Sequence, residues 1–339
     1  MMSDATLRFE GVSPATLRRP DVKSAPLFVP LDRARRDAES ELRIAIVRNG
    51  KARRNVGRDG LDHALDASCI APRSHAELDA ALASFAAQGV DALVINGGDG
   101  TVRDVLSASA RHFVKGLRRI AVLPSGKTNA LAADLGIPKD WTEGAAIAAL
   151  RSGRVVQRSP VRITRDAGSE LQGFIIGAGA FVRATTLAQQ THRFGAFNGL
   201  AVGLSVAGAV IQTLFGGSAS DWRQGTQMRI ALPDAPLATG AKYVLFASTL
   251  EHLPLGIRPF GVPRAGLKLL TIDAHPKRLA AILPALLGGH DLPAVGGYRR
   301  DDTDRVDLFV DGDIIVDGET FVGGRLTLAR GEPIGFAVP

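Results

Sequence analysis

Asp91-Ala92-Leu93-Val94-Ile95-Asn96-Gly97-Gly98-Asp99-Gly100-Thr101 decides how this chain is read. An apolar run of strand length ends in a glycine-rich turn, and a helical pattern follows at once. From Thr101 to Phe113, Val102, Val105 and Leu106 fall on one side. Strand, tight turn and helix form the repeating unit of a parallel sheet covered by helices. Ligands of such sheets bind beyond the carboxyl ends of the strands.

The same unit recurs on both sides. Arg43 to Val47 is a β-branched strand, and His75 to Ala87 is a helix with Leu78, Leu82 and Phe85 at helical spacing. Gly89 stands where a C-terminal cap belongs. Ile120 to Leu123 is a further strand, with a helix starting near Thr128 and reaching Leu135. All three strands end in candidate phosphate loops. The central one is Gly97, Gly98, Asp99, Gly100 and Thr101. Its glycines let the backbone approach phosphate oxygens, and the helix N-terminus behind them favours an anion. Asp99 is a candidate to hold Mg²⁺ or to orient a phosphate contact. The plain alternative is a tight turn with Thr101 as the helix N-cap.

The loop after Leu123 contains Ser125, Gly126, Lys127, Thr128 and Asn129, which offer phosphate donors; capping by Thr128 or Asn129 is the alternative. It lacks the first glycine of a Walker A loop. The loop after the first strand carries Asn49, Gly50 and Lys51, then Arg53, Arg54 and Asn55. These basic side chains either close over a triphosphate or form a solvated loop.

The texture changes near Arg154. Strands are expected at Val155 to Ile163, Gly173 to Ile176, Gln227 to Leu232, Tyr243 to Ser248 and Leu267 to Ile272, with a helix at Lys277 to Leu287. Asp311-Gly312 and Asp317-Gly318 predict hairpin turns in the tail. The expected organisation is a flexible arm over 1–40, an α/β nucleotide-binding domain with a parallel sheet over 41–153, and a β-rich, sandwich-like domain over 154–339. The last strand is free to return to the first domain.

The 339 residues, 45% of them hydrophobic, suit two cores. A single cysteine, Cys69, excludes an intramolecular disulfide and a cysteine-rich zinc site, and is read as a small, partly buried apolar residue. The net charge of +7 favours anionic partners without choosing among them. No apolar run of signal-peptide length opens the chain. Phe197 to Gly217 is apolar, but its glycines and polar residues predict a buried or membrane-touching helix rather than a span.

The two glycine loops, with Leu135-Gly136-Ile137-Pro138, Gly173 to Val182 and the late Asp317-Gly318-Glu319, resemble the diacylglycerol kinase catalytic family, which includes sphingosine, ceramide and bacterial lipid kinases. The resemblance implies the two-domain fold, ATP and Mg²⁺. It implies that Asn49 and Gly98 to Thr101 contact ATP, and that Asp104 stands at an acidic position after the first glycine motif. It further implies Glu319 as general base for the acceptor hydroxyl, with Asp317 nearby as helper or metal-orienting group and Asp99 as a third catalytic residue. Asp311-Gly312-Asp313 is a rival match for the late motif. The sequence departs from the family at Ala130, where the family has an aspartate, at Lys127, and at Gly50, Lys51 and Ala52. A structural Mg²⁺ site known in some bacterial members has no clear ligands here; Asp291 is a weak candidate.

The expected activity is transfer of the ATP γ-phosphoryl to a lipid hydroxyl such as that of diacylglycerol, in the cytoplasm at a membrane surface. The lipid is the expected partner; a homodimer is possible and nucleic acid is not expected. His192 and Arg193 would flank the membrane-facing surface. The alternatives are an NAD or other small-molecule kinase, and a catalytically weak nucleotide- or lipid-binding regulator.

Overall fold

A computed structural model describes residues 42–52, 68–113, 116–166, 168–193, 224–276, 278–292 and 296–339, with side chains to 186 in the helix that ends at 193. The 1–40 arm, Arg53, Arg54, Asn55 and the 197–217 stretch lie outside the described residues, as do the side chains of His192 and Arg193.

The first half is built on β1 (Ile44–Arg48), β2 (Ser68–Ile70), α1 (His75–Ala87), β3 (Ala92–Gly97), α2 (Asp99–His112), β4 (Arg119–Pro124), α3 (Ala130–Asp134) and α4 (Glu143–Ser152). Every residue of β1 and β3 is buried, as expected of parallel strands covered on both faces. Ser74 caps α1 through the Glu77 N–H, and Gly89 follows its end at φ +70°. Cys69 is half-buried on β2, beside Ile46.

The sheet has six strands in the order β2-β1-β3-β4-β15-β5. β15 (Ile334–Val338), at the end of the chain, lies between β4 (parallel) and β5 (antiparallel; Arg154–Arg158). The apolar alternation expected to be one strand from Val155 to Ile163 is therefore two strands in different sheets. Ser159 and Pro160 separate β5 from β6 (Val161–Arg165), and proline cannot continue a ladder. The Gly173–Ile176 segment is likewise split, between β7 (Glu170–Gly173) and β8 (Ile175–Gly179).

The remaining elements are α5 (Ala180–Arg193), β9 (Thr226–Ala231), β10 (Ala238–Ser248), β11 (Leu267–Asp273), α6 (Leu279–Gly288), β12 (Tyr298–Thr303), β13 (Arg305–Val316) and β14 (Glu319–Arg330). Hydrogen bonding joins the strands of this half into one nine-stranded sheet rather than two separate ones. β8 and β9 share the same two neighbours: β8 pairs with the later parts of β10 and β13, β9 with the earlier parts. Val161 and Ile163 near one edge share a buried cluster with Leu267 and Leu269 near the other, so the sheet curls over on itself. The opposite face of β10 and β11, through Phe246, Leu270 and Ile272, joins the core of the first half. Phe174 meets Phe336 edge-on at 6.3 Å, tying β8 to the returning β15.

Asp317-Gly318 forms the expected two-residue hairpin, with φ of 47° and 85°, as a type I′ turn requires. Asp311-Gly312 does not form a turn. It lies inside β13 at a register shift between Val310 and Asp313, because β13 and β14 are long enough to pair on both sides of it. Among the described residues, no helix is long and apolar enough to cross a membrane.

Candidate functional site

Because β1, β3 and β4 are parallel neighbours, their carboxyl ends and the three loops share one sheet edge. The two glycine loops touch backbone to backbone. A Cβ placed on Gly126 would come 2.4 Å from the Gly98 Cα, and one on Gly97 would come 2.5 Å from the Thr101 Cβ. Only glycine allows either approach. The Ser125 N–H also donates to the Gly97 carbonyl at 3.1 Å.

Gly98, not Thr101, is the N-cap of α2. Thr101 Oγ1 instead accepts from Asn49 Nδ2 at 2.8 Å, and Asn49 Oδ1 accepts the Lys51 N–H at 2.9 Å. The loop after β1 and the first glycine loop are thus stitched together. Asn129 adopts a left-handed conformation (φ 53°) as the N-cap of α3. Its side chain accepts from the Gly126 N–H at 2.8 Å and donates to the Gly126 carbonyl at 3.0 Å, closing the second loop. Lys127 and Thr128 stand exposed at the tip of that loop. Arg54 is outside the described residues.

A buried polar chain supports the loops from below. Arg48 donates to both Glu143 oxygens, at 3.1 and 2.7 Å. Asn96 Nδ2 donates to Glu143 Oε1 at 2.6 Å, and the Ser125 hydroxyl donates to Asn96 Oδ1 at 2.6 Å. The chain runs from the end of β1 through the first turn of α4 to the ends of β3 and β4. Arg48, expected from its place after the first strand to be one of the basic groups closing over a triphosphate, instead pairs with Glu143. The roles of Asn96 and Glu143 were not read from the sequence, where the one signal is Thr142-Glu143 as a helix start, capped by Thr142 through the Ala145 N–H.

Asp99 accepts the Leu131 N–H at 3.2 Å, so it bridges the first glycine loop to the start of α3. Burial pushes its carboxyl above the usual range, against the pull of backbone N–H groups at Ala130, Leu131 and Asn129. Ala130 is itself buried at the first position of α3. Asp104 accepts from Arg103 at 2.7 Å and meets His75 Nε2 at 3.2 Å.

The second half contributes the β13–β14 turn. Glu319 lies over the first glycine loop, where a Cβ on Gly100 would come 3.0 Å from Glu319 Oε1. Asp317 accepts the Phe174 N–H at 3.1 Å and the Ile175 N–H at 2.9 Å. Burial, and then the nearby Asp99 charge, push the Asp317 carboxyl up to about 7. Arg103, 1% exposed, joins the halves. It donates to Glu319 Oε2 at 2.6 Å, to the Val316 carbonyl at 3.0 Å and to Asp104, and its guanidinium lies 5.0 Å from the Phe321 ring centroid. Burial works against the Arg103 charge, and the Asp104 and Glu319 carboxylates more than offset it. Sequence reasoning missed Arg103, a charged residue beside the apolar stripe of α2. The rival Asp311 and Asp313 are exposed along β13.

Among the described residues, no three His, Cys, Asp or Glu side chains gather as a metal cage, and Asp291 has no such companions. The carboxylates that could meet a cation beside the glycine loops are Asp99 and Asp317, each buried and already accepting backbone N–H groups, with the Asp99 charge helping to raise Asp317. Mg²⁺ carried in on phosphates needs only one or two carboxylates from the protein.

Residues 50–162, which include both glycine loops, match the diacylglycerol kinase catalytic domain. A strand-rich domain follows the matched segment. The whole fold is similar to a diacylglycerol kinase from Bacillus anthracis str. Sterne, at 12% identity and a TM-score of 0.57, over 88% of this chain and 97% of that one. Two further structures from the same organism, provisionally named diacylglycerol kinases, give TM-scores of 0.61 and 0.60 at 14% and 16% identity, with the same coverage. No curated protein matches the sequence.

Proposed function

We propose that the protein transfers the γ-phosphoryl of ATP to a hydroxyl of a lipid such as diacylglycerol, acting at a membrane surface. The observation that carries this reading is the placement of Glu319, from the second half, over Gly100 of the first. A base from one half facing a phosphate cradle from the other is what phosphoryl transfer to an alcohol needs.

In this reading the backbone around Gly97, Gly98, Gly100 and Gly126 cradles the phosphates, and Lys127 reaches them from its exposed position. Asn49 fixes Thr101 at the loop edge. Glu319 accepts the proton of the acceptor hydroxyl as the phosphoryl group leaves ATP. Mg²⁺, when bound, neutralises charge on the phosphates, and Asp99 and Asp317 would hold it. Asp317 also anchors the turn to β8, so the position of Glu319 is set by the backbone rather than by a free side chain.

The test is labelled phosphate transfer from ATP with Mg²⁺ to diacylglycerol, monoacylglycerol, sphingosine, ceramide and phosphatidylglycerol, for wild type beside Glu319→Gln. A labelled lipid that disappears in the variant supports the reading. ATP binding without transfer to any acceptor, NAD included, would instead favour a regulatory protein, a reading to which the Arg103–Glu319 pairing and the absence of a carboxylate at Ala130 lend some weight.

A further inference from the structure

A small cavity lies in the connection between β10 and β11. Residues from Leu250 to Pro263 and Lys268 line this cavity of about 70 Å³, among them Glu251, His252, Arg258 and Phe260. That volume is room for about two water molecules or one small oxyanion. Lys268 is 2% exposed. Its ammonium donates to the Arg264 carbonyl at 2.9 Å and the Gly266 carbonyl at 3.0 Å. An ammonium has three donors, so one remains for the cavity.

The carboxylates nearest to Lys268 serve other cations. Asp302 is held by Arg264, Glu251 by Arg158, and Asp134 by Arg158 and His252. Among the described residues, none comes within ion-pair distance of Lys268. A buried cation without a counter-charge is costly, and proteins seldom keep one that does no work. Burial, with Arg264 adding to it, lowers Lys268 to about 8, which measures how poorly its charge is matched from within the chain.

Two apolar side chains of the loop are exposed: Val262, which lines the cavity, at 75%, and Leu255, next to the lining Gly256, at 64%. Leu255 also holds a left-handed backbone (φ 63°), a conformation that disfavours a leucine. The loop spends backbone strain to present an aliphatic side chain to solvent. Beneath it, Asp134 accepts the His252 N–H at 2.6 Å, fastening the loop to α3, the helix that follows the second glycine loop.

We propose that residues 250–263 dock the protein on an anionic phospholipid bilayer, with Leu255 and Val262 entering the acyl boundary and a headgroup phosphate occupying the cavity beside Lys268 and Arg258. Apolar tips beside a hollow in which Lys268 and Arg258 outnumber Glu251, itself paired with Arg158, match such a surface in both shape and charge. The site is separate from the catalytic one, and its binding is read without nucleotide, so it stands or falls apart from the kinase reading.

The experiment is co-sedimentation of the full chain with vesicles of phosphatidylcholine alone and of phosphatidylcholine mixed equally with phosphatidylglycerol, without ATP. Wild type should favour the anionic vesicles. Lys268→Met should weaken that preference about fivefold, the effect of one cation near such a surface. Leu255→Gly with Val262→Ser should weaken anionic-vesicle binding about tenfold or more. Glycine suits the backbone at 255, so this variant keeps its fold even if Lys268→Met does not. Equal binding to both vesicles by wild type, or unchanged binding by the Leu255→Gly, Val262→Ser variant, overturns the proposal. So does inorganic phosphate that raises the melting temperature through Lys268 while no vesicle binds, since the cavity would then serve free phosphate.

Discussion

Arg103 of α2 and Glu319 of the β13–β14 turn form a 2.6 Å ion pair that ties the α/β half to the strand-rich half. The cation is 1% exposed and its carboxylate partner is 57% exposed. The two ends of this bond therefore differ in what they contribute. Glu319 can be solvated when the pair opens, whereas Arg103 stays buried and keeps Asp104 and the Val316 carbonyl.

This asymmetry predicts unequal effects on stability. Glu319→Gln should cost about 1 kcal/mol or less, since its outer end is in water. Arg103→Met should cost about 3 kcal/mol, because a buried cation that satisfies several acceptors is removed at once. Urea unfolding of both variants checks the order, and equal losses would contradict it.

Glu319→Gln has a second expected effect. It keeps the turn and the nucleotide loops but removes the proton acceptor. Transfer to lipid should fall by about 10²–10⁴-fold, while ATP affinity stays within a small factor of wild type. Single-turnover kinetics beside an ATP binding titration separates the two quantities. Loss of both would mean that the carboxylate serves binding rather than proton transfer.

Gly126→Ala tests the contact between the glycine loops. The added methyl would fall 2.4 Å from the Gly98 Cα and 2.9 Å from Asn129 Oδ1. Neither the loop backbone nor the clamping Asn129 can yield without opening the cradle. ATP affinity should drop at least tenfold, with a smaller loss in melting temperature. Gly136→Ala is a fold control, because nothing lies within 4 Å of a Cβ there, although its φ of +70° carries a strain cost of its own.

Much of the site was legible because its parts are local. Strand, glycine turn and helix are consecutive in sequence, so the three loops and their shared edge follow from periodicity alone. The Asp317-Gly318 turn follows from turn chemistry, since both positions need positive φ. What could not be read depends on distant pairings. Nothing local shows that Arg103 meets Glu319, or that Arg48, Asn96 and Glu143 form one chain. The division of Val155–Ile163 between two sheets is set by where β15 inserts. Breaks of one or two residues, such as Phe174 and Ser159-Pro160, leave the apolar pattern intact while the strand changes partners.

The buried chain beneath the loops gives a further prediction. Glu143→Ala removes the only carboxylate named in that chain and leaves Arg48 and Asn96 without their shared acceptor in a largely buried setting. Stability should fall by about 3–5 kcal/mol, as when one partner of a buried pair is deleted. ATP binding should weaken as well, because Asn96 positions Ser125. Glu143→Gln keeps one acceptor oxygen and should recover part of both losses in the same assays.

Lys268 sets an expected pH signature. Its folded value is about 8 and its ordinary value is 10.5, so between these the unfolded chain binds more protons than the folded one. Stability from this group therefore rises as pH climbs from about 8 to 10.5; below 8 the full cost of burying the charge is present. Lys268→Met removes that dependence. The stability of wild type relative to the variant should increase across this window by about 2 kcal/mol or less, allowing for partial screening. Chemical denaturation in phosphate-free buffers at pH 7.5 and pH 10 measures it. A difference that stays flat would show that the ammonium is solvated in the folded protein, and that its third donor already faces water.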